Sequence, residues 1–95
     1  MALIKKTELE NGVTTNYHRI VSVNNITNIE TIIEVASYTS KEKREEEIEA
    51  LENNDEMNIF IENKYYNVTY DKDMNVDSAY EYLKTLDEFK DAKND

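Results

Sequence analysis

A single imidazole, His18, is the one side chain in this 95-residue sequence whose ordinary pKa lies near neutrality, so histidine acid–base chemistry would have to run through it. It stands between Tyr17 and Arg19 in a β-type run. There is no cysteine nucleophile, no glycine-rich phosphate loop and no serine in a nucleophile-elbow pattern, and one histidine cannot build a multi-histidine metal centre. A Ser-His-Asp site would need partners brought together by folding, which residue identity alone does not license. The 21 acidic residues supply many carboxylates. A glycosidase-type acid pair, however, needs a cleft, and two short hairpins with two helices leave little volume for one. The sequence therefore predicts a structural or interface role for His18, no catalytic residues, no enzyme activity, no cofactor and no small-molecule substrate.

The second chemical candidate is Asp71-Lys72-Asp73-Met74-Asn75-Val76-Asp77, which places oxygen side chains at alternate positions, as the first half of a calcium loop does. The pattern then departs twice. Val76 stands where such a loop turns on glycine, and Tyr82 stands at the twelfth position, where a bidentate glutamate is needed, with Glu81 one residue too early. Asp71, Asp73, Asn75 and Asp77 are thus the only metal candidates, and the reading adopted is no metal. They are expected to solvate a strand-to-helix connection in which Asp77 caps the helix.

The elements that must carry these residues read as β-β-β-α-β-β-α. Leu3–Glu10 and Val13–Val23 flank Asn11-Gly12, the dipeptide suited to a two-residue type I′ turn with both central residues at positive φ. In the second run Ile20 alternates with Val21 and Val23, which predicts partial cover on both faces. Asn24, Asn25 and Asn28 punctuate the chain before Ile29–Tyr38, whose odd positions Ile29, Thr31, Ile33 and Val35 share one face. Thr39-Ser40-Lys41-Glu42 has the capping-box pattern and opens a helix to about residue 53. Only Ile48, Ala50 and Leu51 are apolar in it, so a narrow stripe is available for burial. Met57–Ile61 and Tyr65–Tyr70 read as a second hairpin around Glu62-Asn63-Lys64, and a closing helix is expected from Ser78 to about Phe89. Residues 90–95 are expected to fray.

The fold class that follows is α+β: a small, mostly antiparallel sheet from two hairpins plus an extra strand, with two helices, in one domain spanning 1–95. Within it, 1–38 is the β-rich part and 39–89 the acidic α/β part. Residues 1–40 carry four acids and three bases while residues 41–95 carry seventeen and eight, so the net charge of −10 resides almost wholly in the second part. Seven tyrosines and two phenylalanines supply amphipathic bulk for a core. Without cysteine there is no disulfide, which fits folding in a reducing cytosol. No stretch approaches the roughly eighteen apolar residues of a membrane span, and Met1-Ala2-Leu3-Ile4-Lys5-Lys6 lacks the order of a signal peptide.

Such acidity has three readings: a solubilising surface, attachment to a basic protein, or imitation of nucleic acid by carboxylates that stand in for phosphates. Direct nucleic-acid binding is disfavoured because the net charge repels phosphate and the eleven bases form no long cluster. Partner contact is expected instead from the near-neutral first hairpin. Tyr17, Arg19, Val21 and Val23 there mix aromatic, cationic and apolar character as interface cores do, with ordinary core packing as the competing role.

Four runs carry a wider likeness: Leu9-Glu10-Asn11-Gly12-Val13, Asn16-Tyr17-His18-Arg19-Ile20, Ile33-Glu34-Val35-Ala36-Ser37-Tyr38 and Ala79-Tyr80-Glu81-Tyr82-Leu83-Lys84. In these the chain resembles a family of small, uncharacterised tail- and baseplate-associated proteins of phages and prophages of Gram-positive bacteria. The resemblance covers nearly the whole chain but rests on general sequence texture, so it transfers no functional residues. It implies a non-enzymatic structural or accessory virion protein, made in the host cytoplasm and destined for the tail. That protein would act through contacts with itself or with other tail and baseplate proteins. The alternative is a phage-encoded acidic inhibitor of a host defence or nucleic-acid enzyme that works as a DNA mimic.

Overall fold

The strand Thr14–Ile26, thirteen residues long, is the spine of the molecule and is designated β2. A computed structural model describes residues 2–54 and 61–95. Around the spine lie β1 (Leu3–Glu8), β3 (Glu30–Tyr38), α1 (Lys41–Asn53), β4 (Ile61–Val68), α2 (Val76–Leu83), a 3₁₀ turn at Asp87–Phe89, and β5 (Lys93–Asn94). The strands form one antiparallel sheet in the order β4-β3-β2-β1-β5. Five antiparallel strands and two helices make the predicted α+β class, and strands from both the β-rich and the acidic parts join the same sheet.

The first hairpin forms where Asn11-Gly12 predicts it, with a different turn. Gly12 N–H donates to the Leu9 carbonyl and Leu9 N–H to the Val13 carbonyl, which closes a loop of Glu10-Asn11-Gly12. Gly12 has φ 86° and Asn11 stays at negative φ. This is a type I turn followed by a left-handed glycine bulge, so the expected pair of positive-φ residues reduces to one. The β2–β3 turn uses Asn28 at φ 61°, where a short polar side chain tolerates the left-handed region.

Two β-bulges set which residues face which layer. In β1 the register shifts between Ile4 and Thr7, and in β2 it shifts between Ile20 and Ser22, which leaves Val21 as the extra residue. Because side chains alternate with period two, one extra residue exchanges the faces of everything beyond it. Ile20 and Val23 therefore face the same layer, with Ile33 and Val35 of β3.

That layer is the main core. Leu3, Ile33, Ala79 and Leu83 are fully buried, and Ile20, Val35, Tyr80 and Phe89 complete the cluster. Full burial of a Leu or Ile side chain stabilises by about 1.5–3 kcal/mol. α2 contributes Ala79, Tyr80 and Leu83, which lie on one helical face. Its N-cap is Asn75 and not Asp77: the Asn75 side chain accepts the Ser78 N–H while the Ser78 hydroxyl accepts the Asn75 N–H. The helix also stops at Leu83, short of the predicted Phe89. Thr85 and Leu86 N–H groups turn back to the Tyr82 and Leu83 carbonyls, Leu86 adopts extended ψ, and the following 3₁₀ turn drives Phe89 into the core.

Among the described residues, the opposite sheet face is covered at one end only. Ala2, Tyr17, Ala36 and Tyr38 are buried there beneath α1. The expected Thr39 capping box does not form. Ser40 is the N-cap and makes no side-chain cap bond, while Asn54 ends the helix in the left-handed conformation with its N–H on the Ala50 carbonyl. The apolar residues Ile48 and Leu51 point outward, and the buried side of the helix is centred on Glu47.

Two further expectations are corrected. Glu62-Asn63-Lys64 is no turn: it lies inside β4, with Asn63 opposite Ala36 and Lys64 opposite Val35, because β4 pairs along the whole of β3 from Thr31 to Tyr38. Of the predicted arm Met57–Ile61, only Ile61 is among the described residues. The tail does not fray. Lys93 and Asn94 pair with Ile4 and Leu3, the Asp95 N–H donates to the Ala2 carbonyl, and the Asp95 carboxylate accepts from Lys41 Nζ at 2.8 Å and from the Tyr17 hydroxyl at 3.3 Å. A short edge strand held by an ion pair resists the end-fraying that composition predicts.

Candidate functional site

β1 pairing along β2 runs out at Leu3, opposite His18, so Arg19 and Ile20 lie past the end of the neighbouring strand. Among the described residues, the two helices flank that edge from opposite faces. The N–H of Ile20 donates to the Tyr80 hydroxyl of α2 at 2.9 Å, so a side chain stands where a strand partner would. Between β2, α1 and α2 lies a groove of about 420 Å³ with Tyr17, Arg19, Lys41, Arg44, Ile48 and Val76 among its walls.

Its cationic wall is built around one carboxylate. Arg19 Nε donates to the Tyr38 hydroxyl at 3.0 Å, that hydroxyl donates to Glu47 Oε1 at 2.7 Å, and Arg44 Nη1 donates to the same oxygen. Arg19 Nη2 stands 3.9 Å from it, an ion pair without a hydrogen bond. Two guanidiniums thus share one carboxylate. Among the described residues, the other Arg19 donors and the second terminal nitrogen of Arg44 have no protein acceptor, and no buried side-chain nitrogen or oxygen is left unpaired, so these donors open onto the groove. Burial pushes the Tyr38 hydroxyl above its ordinary pKa, and burial with the Asp95 charge does the same for Tyr17, so both stay neutral donors through the physiological range.

The apolar wall is exposed. Ile48 is 40% and Val76 48% accessible, in a chain whose other large side chains mostly pack inward. Aliphatic groups beside open guanidinium donors can hold a ligand that is part apolar and part anionic.

His18 belongs to a different place. It is 1% exposed and packs edge-on to Phe89, with ring centroids 5.0 Å apart. Nε2 lies 2.7 Å from the Lys5 carbonyl, which can only accept, so Nε2 carries the proton and Nδ1 accepts from the Ser37 hydroxyl at 2.7 Å. Ser37 and His18 have the hydrogen-bond geometry of a hydroxyl and its base, and both line a second cavity of about 350 Å³ beside Lys64 and Glu88. Both ring nitrogens are nonetheless occupied. The Lys5 carbonyl lies in the β1 bulge, and the imidazole satisfies it. Burial lowers the His18 pKa, which keeps the ring neutral.

The predicted partner residues divide. Tyr17 and Arg19 line the groove, Val21 is exposed at the bulge, and Val23 packs against the main core. The β2 bulge separates four positions that alternation alone puts on one face. The calcium candidates also take up local tasks. Asp71 Oδ1 accepts the Asp73 N–H, the Asp71 N–H donates to Thr31 Oγ1, Asn75 caps α2, and Asp77 lies exposed in its first turn. Among the described residues, no three metal-ligating side chains converge.

Lys41, Arg44, Ile48, Val76 and Tyr80 are groove residues that the sequence reading did not single out. One signal for them was present. Lys41, Lys43 and Arg44 crowd the first turn of α1, where the helix dipole disfavours cations; Lys43 and Arg44 pair within the helix with Glu46 and Glu47, and Lys41 pairs outside it with Asp95. Compared with known proteins, the chain matches no family model, no curated sequence and no solved structure.

Proposed function

We propose that this chain is a non-catalytic interaction module that holds a protein partner in the groove between β2, α1 and α2. The observation that carries this reading is the juxtaposition of exposed Ile48 and Val76 with the open donors of Arg19 and Arg44. The buried imidazole is compatible with it, since both ring nitrogens are engaged, Nε2–H by the Lys5 carbonyl and Nδ1 by the Ser37 hydroxyl. The setting proposed is the tail or baseplate of a phage, which rests on the sequence resemblance alone. Ile48→Glu with Val76→Glu, both at exposed positions, is expected to leave the unfolding midpoint within experimental error and to abolish incorporation into purified phage particles, read by mass spectrometry. Absence of the unmodified chain from such particles, together with a monodisperse monomer at high concentration, removes the tail setting.

A second reading, an acidic inhibitor that imitates nucleic acid, has its own observation. Glu42, Glu45, Glu49 and Glu52 fall within about 80° of one another around α1, and among the described residues none has an ion-pair partner, whereas Lys43 and Arg44 are held by Glu46 and Glu47. This reading predicts a basic host protein as partner and binding that weakens steeply between 50 and 300 mM salt, a range set at roughly the Debye scale of exposed charges. Groove binding through apolar contact and buried guanidinium pairs is less sensitive to salt.

A further inference from the structure

We infer that the occupant of the groove is an extended segment of a partner protein in which an aliphatic side chain lies next to a carboxylate, an inference that rests on the groove reading above. The groove is a local exception to the charge of the molecule, with Arg19, Lys41 and Arg44 lining it against the single carboxylate of Glu45. In a chain of net charge −10, Arg19 and Arg44 converge on the single oxygen Glu47 Oε1, which already accepts from the Tyr38 hydroxyl, and Lys41 at the same wall is tied to Asp95. A planar guanidinium with free terminal N–H groups matches a carboxylate in paired geometry and accepts it with less desolvation than an ammonium would. Ile48, Val76 and the Tyr80 ring stand beside those donors and supply the apolar half. About 420 Å³ accommodates one or two side chains of an extended segment and is too small for a packed helix.

The surroundings decide between anions. Glu45 lines the groove and Glu42, Glu49 and Glu52 follow it around α1, so a polyanion such as nucleic acid laid across the groove meets all four, while a single carboxylate seated at Arg19 and Arg44 meets mainly the two arginines. The competing occupant, a second copy of this chain, would have to offer the same motif from its own surface.

The test is an amide-shift titration of the ¹⁵N-labelled full chain with acetyl-Ala-Leu-Asp-Leu-Ala-amide, the same peptide with Asn or with Lys in place of Asp, and a five-nucleotide oligothymidylate. The Asp peptide is expected to give saturable shifts at Ile48, Val76 and Tyr80. The Asn peptide binds at least about tenfold more weakly, and the Lys peptide and the oligonucleotide give no groove shifts. Arg19→Gln is expected to erase the preference for Asp over Asn, and Val76→Glu, which keeps the fold, weakens both peptides. Equal binding of Asp and Asn peptides, or stronger binding of the Lys peptide or the oligonucleotide, overturns the carboxylate inference while leaving the groove in place. Concentration-dependent groove shifts without peptide assign the groove to a second copy and overturn it likewise. No groove shift with any probe also overturns it, and the groove reading then stands or falls on the particle-incorporation assay.

Discussion

His18 shows how much a single residue can be committed by its surroundings. Its Nε2–H satisfies the Lys5 carbonyl in the bulge, and its Nδ1 accepts a hydrogen bond from the Ser37 hydroxyl. Replacement by leucine leaves both groups buried and unpaired, at about 1–3 kcal/mol each. His18→Leu is therefore expected to destabilise by about 2–5 kcal/mol in urea unfolding. Burial also sets a pH dependence. The folded pKa lies below the ordinary value near 6.5, so the unfolded chain binds the proton first. Stability present above that pH is lost as pH falls toward the folded value. Comparing urea midpoints at about pH 8 and pH 5.5 for the parent chain and His18→Leu isolates this contribution, which the variant lacks. Asp95 follows the same sign: the Lys41 ammonium holds its carboxyl below the usual range, so the clasp on β5 loosens in acid as that group protonates.

At the scale of elements, local chemistry and tertiary packing can be separated by substitution. Asn75→Ala removes the reciprocal cap of α2 and is expected to cost about 1 kcal/mol, whereas Asp77→Ala, in the exposed first turn, costs a few tenths, about the size of one helix-dipole interaction. Thermal unfolding of the two variants tests the assignment of the cap directly, since the sequence pattern alone favours the reverse order. Gly12→Ala has open space around it, so its expected loss of about 1 kcal/mol is backbone strain at φ 86° and nothing else. Of the two helices, α1 is the less anchored by apolar burial. It is held by the shared Glu47 carboxylate, and its two exposed aliphatic residues are available for work outside the fold.

For the whole molecule, the distribution of charge matters more than its sum. An acidic chain that gathers two arginines and a lysine into one groove, and sets beside them a line of glutamates that begins to enter the groove at Glu45, presents two chemically opposite, adjoining surfaces along α1. The paired Ile48→Glu and Val76→Glu variant and the salt series address those surfaces independently. Loss of partner binding in the variant with little salt sensitivity points to the groove, and the converse result points to the glutamate line. Calcium at about 1–5 mM, well above the affinity of an intact loop site, is expected to leave the melting temperature unchanged, because Asp71 and Asn75 already accept backbone N–H groups.

Local pattern was sufficient for the class of fold: alternation drew β2 and β3, Asn-Gly placed the first turn, and the spacing of Ala79 and Leu83 drew α2. It also showed that catalysis by histidine had one candidate. The groove was invisible because it depends on where β1 ends against β2 and on where α1 and α2 pack beside that edge, and neither leaves a signature in residue types. The same reason explains Glu47, which reads as one more solvated glutamate until the sheet brings Tyr38 and Arg19 beneath it. Periodicity is written along the chain, but register and the meeting of distant edges are set by the lowest free energy of the whole packed sheet, and that is where the groove on which the proposal rests was formed.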